Sequence, residues 1–241
     1  MAKYVLIHGA WHGKWCWDKV KPLLTQAGHE VEAIDLPGHG DDQTPLDQMS
    51  LATYVDKVVR VLDEASEPVI LVGHSMGGVV ITQAAEYRPD KIASLVYLSA
   101  FMPLDGGSLM GLAMTDRGAL VFPNMVMAED RLSCTIREEA LREIFYMDCS
   151  EEDYERAASL VGNEATAILE AAVSLSSDNF GRVPKYYIEC LKDKALSNDL
   201  QKRIIASLPF EQVFVLDTDH SAFFSAPEKL VEHLLLCIPE K

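Results

Sequence analysis

The stretch from Pro68 to Ala85 leaves this chain few folds to choose from. Pro68-Val69-Ile70-Leu71-Val72 is a continuous apolar run of strand length, the pattern of a strand buried on both faces. Gly77-Gly78-Val79-Val80-Ile81 and then Thr82-Gln83-Ala84-Ala85 read as a helix. Between them lies Gly73-His74-Ser75-Met76-Gly77, a Gly-x-Ser-x-Gly pattern. A strand that turns sharply into a helix holds its central residue in a strained backbone conformation and projects it above the sheet. The flanking positions are glycine because a Cβ there would collide with the neighbouring strand and helix. Ser75 is thereby placed as a nucleophile. The backbone N–H of Met76 opens the helix and points to where an oxyanion would form.

The surrounding sequence repeats the same strand–helix alternation. Residues 4–8 form an apolar strand, 18–27 a helix stopped by Gly28, and 30–35 a second strand. The turn-rich Leu36-Pro37-Gly38-His39-Gly40 follows. Ser50 can cap the next helix, where Val55, Val58, Val59 and Leu62 recur on one face. A further strand covers residues 94–100. Repeated βα units argue for an α/β fold with a parallel sheet covered by helices. The alternation breaks at Met102-Pro103, and no strand is expected again before about residue 182. Thr135-Ile136-Arg137-Glu138 has the form of a capping box opening a helix, Ser150 opens another, and a third is expected over 164–175. This block reads as a helical cap, inserted at about 104–182, over the C-terminal edge of the sheet. Six of the nine methionines lie in it or just before it: Met102, Met110, Met114, Met125, Met127 and Met147. Methionine adapts to irregular apolar ligands, and packing of the cap is its ordinary alternative use. Strands at 185–191 and 212–216, a helix at 197–207 and a last helix opened by Pro227 complete a sheet of about six strands. Residues 1–241 are expected to form one domain.

Composition narrows the partners. The formal net charge is −16, a field that repels nucleic acid and anionic membrane surfaces and favours a neutral small-molecule substrate. No apolar run approaches the roughly 18 residues that span a bilayer. The first residues run straight into a strand, which does not resemble a signal peptide. Cys16, Cys134, Cys149, Cys190 and Cys237 are scattered and odd in number, as expected of reduced thiols in a cytoplasmic protein. If the chain self-associates, a homodimer is the expected form.

A serine hydroxyl needs a base, and the base needs an orienting acid. Among seven histidines, His74 must point away from the nucleophile, His233 sits on the polar side of the last helix, and His29 lies at the wrong sheet edge. His39 reads as a loop brace. His8 and His12 lie near the site but before the serine. His220 remains, at the C-terminal edge of the sheet where active sites of parallel sheets gather. The acid should lie on a loop at that edge, ahead of His220. Asp193 fits best, with Asp105, Asp217 and Asp219 as rivals. A second oxyanion donor belongs on the loop after the first strand, and the Ala10 N–H is assigned to it, with Gly9 allowing close approach. His8 and His12 make a poor metal pair, because glycines flank them and no acidic third ligand stands near. No metal and no cofactor is implied.

Several segments together carry a resemblance: His8-Gly9-Ala10-Trp11-His12-Gly13, Trp15-x-Trp17, Asp35-Leu36-Pro37-Gly38-His39-Gly40, Gly73-His74-Ser75-Met76-Gly77-Gly78, Tyr97-Leu98-Ser99-Ala100-Phe101-Met102-Pro103, Tyr187-Ile188-x-Cys190-x-x-Asp193-Lys194 and Asp219-His220. The chain resembles α/β-hydrolases of the plant methylesterase and hydroxynitrile lyase family, and bacterial carboxylesterases related to it. The likeness runs from the first strand to the last helix and is weakest in the cap. It implies an α/β-hydrolase fold, a Ser75–His220–Asp193 triad, and a substrate pocket that includes Gly9, Phe101 and Ser221. That family holds both ester hydrolases and C–C bond lyases. Its lyases carry threonine after the first-strand histidine and lysine after the catalytic histidine, where this chain has Gly9 and Ser221. The departure favours an esterase over a lyase, and an intact Ser-His-Asp set argues against the other alternative, a ligand-binding receptor built on the same fold. The departure also suggests that Gly9→Thr with Ser221→Lys would raise lyase over esterase activity.

Overall fold

The computed structural model describes residues 1–239. Nine strands follow in chain order: β1 Lys3–Ile7, β2 Glu30–Ile34, β3 Val69–His74, β4 Ile92–Leu98, β5 Met125–Met127, β6 Ser133–Ile136, β7 Glu164–Ala165, β8 Lys185–Cys190 and β9 Gln212–Leu216. Six of them form one sheet in the order β2-β1-β3-β4-β8-β9. Every pairing in it is parallel. Central β3 is buried along its whole length, which explains its unbroken apolar run. Between these strands the chain passes through helices, among them Leu51–Glu64, Gly77–Tyr87 and Asn198–Ile205. Leu51–Glu64 begins in a full capping box: Ser50 takes the Thr53 N–H and Thr53 takes the Ser50 N–H. Its buried face carries Tyr54, Val55, Val58 and Leu62. No helix among the described residues is long and apolar enough to cross a membrane.

The segment between β4 and β8 is not purely helical. β5, β6 and β7 form a three-stranded antiparallel sheet within it. The capping-box reading of Thr135 is also corrected. Thr135 lies inside β6, and the helix starts later, at Glu138–Phe145 behind Arg137. Likewise Glu164 and Ala165 pair with β6, so the third helix shrinks to Thr166–Glu170. Strands this short offer too few residues for a period of two to register, and β7 joins β6 only after two intervening helices. Ser150 does cap the helix Glu151–Leu160, as its sequence suggests.

Glu164 ties this segment to the main fold. Its side chain is fully buried. One carboxylate oxygen accepts the His39 Nε2–H at 3.1 Å, and the other accepts the Tyr54 hydroxyl at 2.9 Å. His39 Nδ1–H donates to the Pro37 carbonyl at 3.1 Å. The Tyr54 hydroxyl also lies 3.3 Å from His39 Nδ1, but its proton goes to Glu164, so the Glu164 carboxylate and the Pro37 carbonyl favour a proton on both ring nitrogens. Burial alone would push its pKa down, but the Glu164 carboxylate outweighs burial and raises it. A raised histidine pKa stabilises the fold fully below the unfolded value of about 6.5, and that stability is lost as pH climbs through the folded value. His39→Gln should therefore destabilise the protein by about 3 kcal/mol near pH 6. The deficit should shrink as pH rises to 9. Urea unfolding of both proteins at the two pH values checks this; a deficit that grows with pH would contradict the ion pair.

Candidate active site

Ser75 directly follows β3, and Ser99 directly follows β4. Asp193 and His220 lie just past β8 and β9. Parallel strands thus deliver four polar residues, distant in sequence, to one edge of the sheet. Ser75 has φ +54°, the left-handed region expected of a strand-to-helix elbow. The elbow is tight: a Cβ on Gly77 would sit 2.7 Å from the His8 carbonyl oxygen. The Ser75 carbonyl accepts the Phe101 N–H at 3.0 Å, which locks the elbow to the end of β4.

The histidine roles separate by hydrogen bonding. His8 accepts the Leu36 N–H at Nε2 and donates Nδ1–H to the Gly9 carbonyl. His12 donates Nδ1–H to the Ala10 carbonyl and accepts the Tyr146 hydroxyl at Nε2. Burial pushes the His12 pKa down to about 4 and lowers His8 as well. Both rings are neutral and fully engaged, so neither serves as a base or a metal ligand. His74 is buried and neutral, and its Nε2–H donates to the His220 carbonyl at 3.0 Å. The residue before the nucleophile thereby anchors the loop that carries His220, and the two rings lie 4.4 Å apart. His233 stacks on Phe214 at 4.9 Å and is partly buried, which corrects its placement on a polar face.

His220 is almost completely buried, and its Nδ1–H donates to Asp193 Oδ2 at 2.5 Å. This fixes the tautomer and leaves Nε2 without a partner among the described residues. The other oxygen of Asp193 accepts the Ala195 and Leu196 N–H groups at 2.7 and 2.9 Å. The rival carboxylates lie elsewhere. Asp105 accepts the Leu175 N–H, and Asp217 pairs with Lys192 at the surface. Asp219 is buried but accepts the Asp148 and Ser221 N–H groups and the Ser225 hydroxyl. Sequence reasoning passed over Ser99, whose hydroxyl also donates to Asp193. A lone serine after a strand carries no periodic signal that could have found it.

A narrow pocket opens beside Ser75. Its walls include Trp11, Phe101, Phe122, Met125, Phe145 and Leu169, and among the described residues its only charged lining residue is Asp116. The Asp116 carboxylate accepts the Gly118 and Ser197 N–H groups. Ala10 and Met76 also line the space, and neither N–H donates to any group among the described residues. Two unengaged donors beside an elbow serine can receive a developing oxyanion. Of the six methionines singled out from the sequence, Met125 alone lines this space, so aromatic rings do most of the work assigned to them.

Two expected pocket residues stand apart. Ser221 is fully buried, and its hydroxyl has no partner among the described residues. It does not line the cavity. Gly9 also lies off the cavity wall and backs the nucleophile: a Cβ there would sit 2.8 Å from the Ser75 Cβ and 3.0 Å from His74 Nδ1. The double change Gly9→Thr with Ser221→Lys therefore meets a packed elbow at one position. At the other it would place an ammonium at a fully buried position that does not face the cavity. The gain in lyase activity expected from the sequence is withdrawn.

Comparison with known proteins agrees with this geometry. The model of the alpha/beta hydrolase family matches residues 4–233. Methylesterase 2 of Arabidopsis thaliana is 34% identical, over 96% of this chain and 94% of its own. An alpha-hydroxynitrile lyase of the same plant is 33% identical, over 96% and 95%. The solved structure of a pyrethroid hydrolase from Sphingobium faniae JZ-2 superposes with a TM-score of 0.87 at 29% identity, covering 97% of this chain and 96% of that one.

Proposed function

This chain belongs to the alpha/beta hydrolase family, and from that premise we propose that it is a serine carboxylesterase acting on small, neutral esters through a covalent acyl-enzyme. The methylesterases among its relatives make it a carboxylic-ester hydrolase. The observation that carries the finer reading is the buried His220–Asp193 pair, held against the Ser75 elbow through His74. Ser75 attacks the ester carbonyl while His220 Nε2 takes its proton. Asp193 keeps the imidazole in the Nδ1–H tautomer and stabilises the imidazolium. The Ala10 and Met76 N–H groups receive the oxyanion. His220 returns the proton to the leaving alcohol and then activates the water that releases the acid.

The walls of the cavity support a compact apolar or aromatic acyl group. Its one charged residue, Asp116, and a net charge of −16 both disfavour anionic substrates. The five cysteines are all unpaired and buried, which supports a reducing compartment such as the cytoplasm. A screen of small methyl and aryl esters against wild type and Ser75→Ala tests the reading; equal turnover by the two proteins would sink it.

Likeness alone does not choose between hydrolysis and C–C cleavage, since a lyase matches almost as well as the methylesterases. The choice rests on the cavity wall, which carries no cationic side chain among the described residues. A departing cyanide anion is best stabilised by a cation beside it, and lacking one costs about a hundredfold in rate. The wild type is expected to cleave mandelonitrile at least about a hundredfold more slowly than its best ester. Gly9→Thr is expected to lower ester turnover without raising cyanide release, because the added side chain presses on Ser75. Cyanide release by wild type at the rate of its best ester would promote the lyase reading.

A further inference from the structure

Ser99 is fully buried and has φ +38°, in the left-handed region where a residue with a Cβ is strained. Glycine would make the same turn without strain, and nothing in the turn itself calls for a hydroxyl. The hydroxyl is used elsewhere. It donates to Asp193 Oδ2, the same oxygen that accepts the His220 Nδ1–H. With the Ala195 and Leu196 N–H groups on Oδ1, Asp193 receives four donors, two on each oxygen. Two of those donors are backbone N–H groups and one is the His220 imidazole; Ser99 is the remaining side chain, delivered by β4.

The backbone around Ser99 is pinned on both sides. Its N–H donates to the Ile188 carbonyl at 2.9 Å. The next residue, Ala100, is clasped by the Tyr187 hydroxyl, which accepts the Ala100 N–H at 3.1 Å and donates to its carbonyl at 3.0 Å. Phe101 then donates to the Ser75 carbonyl. One short segment thus grips the acid at its first residue and the nucleophile's backbone at its third.

We propose that Ser99 is a positioning residue of the active site, which sets the rotation of the Asp193 carboxylate and shares its Oδ2 with His220. It touches neither substrate nor reacting atoms and acts through Asp193. The proposal rests on the serine esterase reading. Sharing has a chemical consequence. A carboxylate oxygen that serves two donors gives each less of its charge, so removing the hydroxyl leaves the whole of Oδ2 to the imidazole.

The test compares wild type, Ser99→Ala and Ser99→Gly in full-length protein on a small aryl ester. Losing a hydrogen bond to a charged group at this site should lower kcat by about ten- to a hundredfold while KM changes little. The acidic limb of the kcat/KM profile should move to higher pH, since the imidazolium gains charge stabilisation. Ser99→Gly removes the strain together with the hydroxyl, so matching losses in both variants assign the effect to the hydroxyl. Wild-type kcat and an unmoved pH profile in Ser99→Gly would overturn the proposal, whatever the variant's thermal stability. Should wild type turn over no ester, the esterase reading falls, and Ser99 is judged by proton NMR. The far-downfield His220 Nδ1–H resonance, identified by its loss in Asp193→Asn, should shift in Ser99→Gly; an unshifted resonance overturns the proposal.

Discussion

Ser75→Ala should reduce kcat for ester hydrolysis by about 10⁶, to the level that binding and oxyanion stabilisation alone sustain. The expected loss is this large because the reaction passes through a covalent bond to one atom. Among the described residues Ser75 Oγ is the only hydroxyl on the cavity wall, so no neighbour takes its place. The substitution itself is mild. Ser75 is held by its backbone, through the Ser75 N–H to Leu98 and the Phe101 N–H to the Ser75 carbonyl, and its hydroxyl makes no hydrogen bond among the described residues. The folded state therefore loses no side-chain bond, and the elbow keeps its shape. Circular dichroism and the unfolding midpoint should match wild type. A folded Ser75→Ala protein that retains ester turnover within about tenfold of wild type would remove the serine from the mechanism.

Asp193→Asn should lower kcat by about 10³ to 10⁴ with a smaller effect on KM. The arrangement of donors explains why. Asp193 Oδ2 accepts from His220 Nδ1 and from Ser99, and Oδ1 accepts two backbone N–H groups. The two backbone donors require an oxygen at Oδ1, so asparagine must turn its NH₂ toward His220 and Ser99. An NH₂ there forces the ring into the tautomer with the proton on Nε2, the nitrogen that must be bare to take the serine's proton. The geometry survives and the chemistry fails. A nearly silent Asp193→Asn, with Asp105→Asn crippling, would move the acid to the other loop. Asp105 is exposed and bonded to the Leu175 N–H, so its variant is expected to keep wild-type kcat.

The family of the chain and its main sheet were legible because parallel strands carry a local signature. An apolar run such as Val69-Ile70-Leu71-Val72 must be buried on both faces, and an elbow needs glycine where backbones touch. Those constraints act within a few residues, so a linear reading can find them. The cap was misread for the opposite reason. β5, β6 and β7 have three, four and two residues, too short to carry a strand pattern, and β7 pairs with β6 only across two intervening helices. Thr135 looks like a helix cap locally, yet it sits in a strand because Val126 and its neighbours pair across from it.

The site divides in the same way. Ser75, His220 and Asp193 could be picked out by residue type, chain order and position after a strand. So could the elbow, the loop bearing Ala10, and the expectation that Phe101 faces the pocket, which it does. What only the tertiary structure decided is who touches whom. It turned Ser221 into the core and put Gly9 behind the nucleophile. It gave His39 a buried carboxylate from the cap and gave Asp193 a second side-chain donor in Ser99. Local sequence determines backbone conformation, because φ and ψ respond to adjacent residues. The direction of a side chain and the partner it meets depend on groups tens of residues away, which become neighbours only when the sheet and its cap have closed.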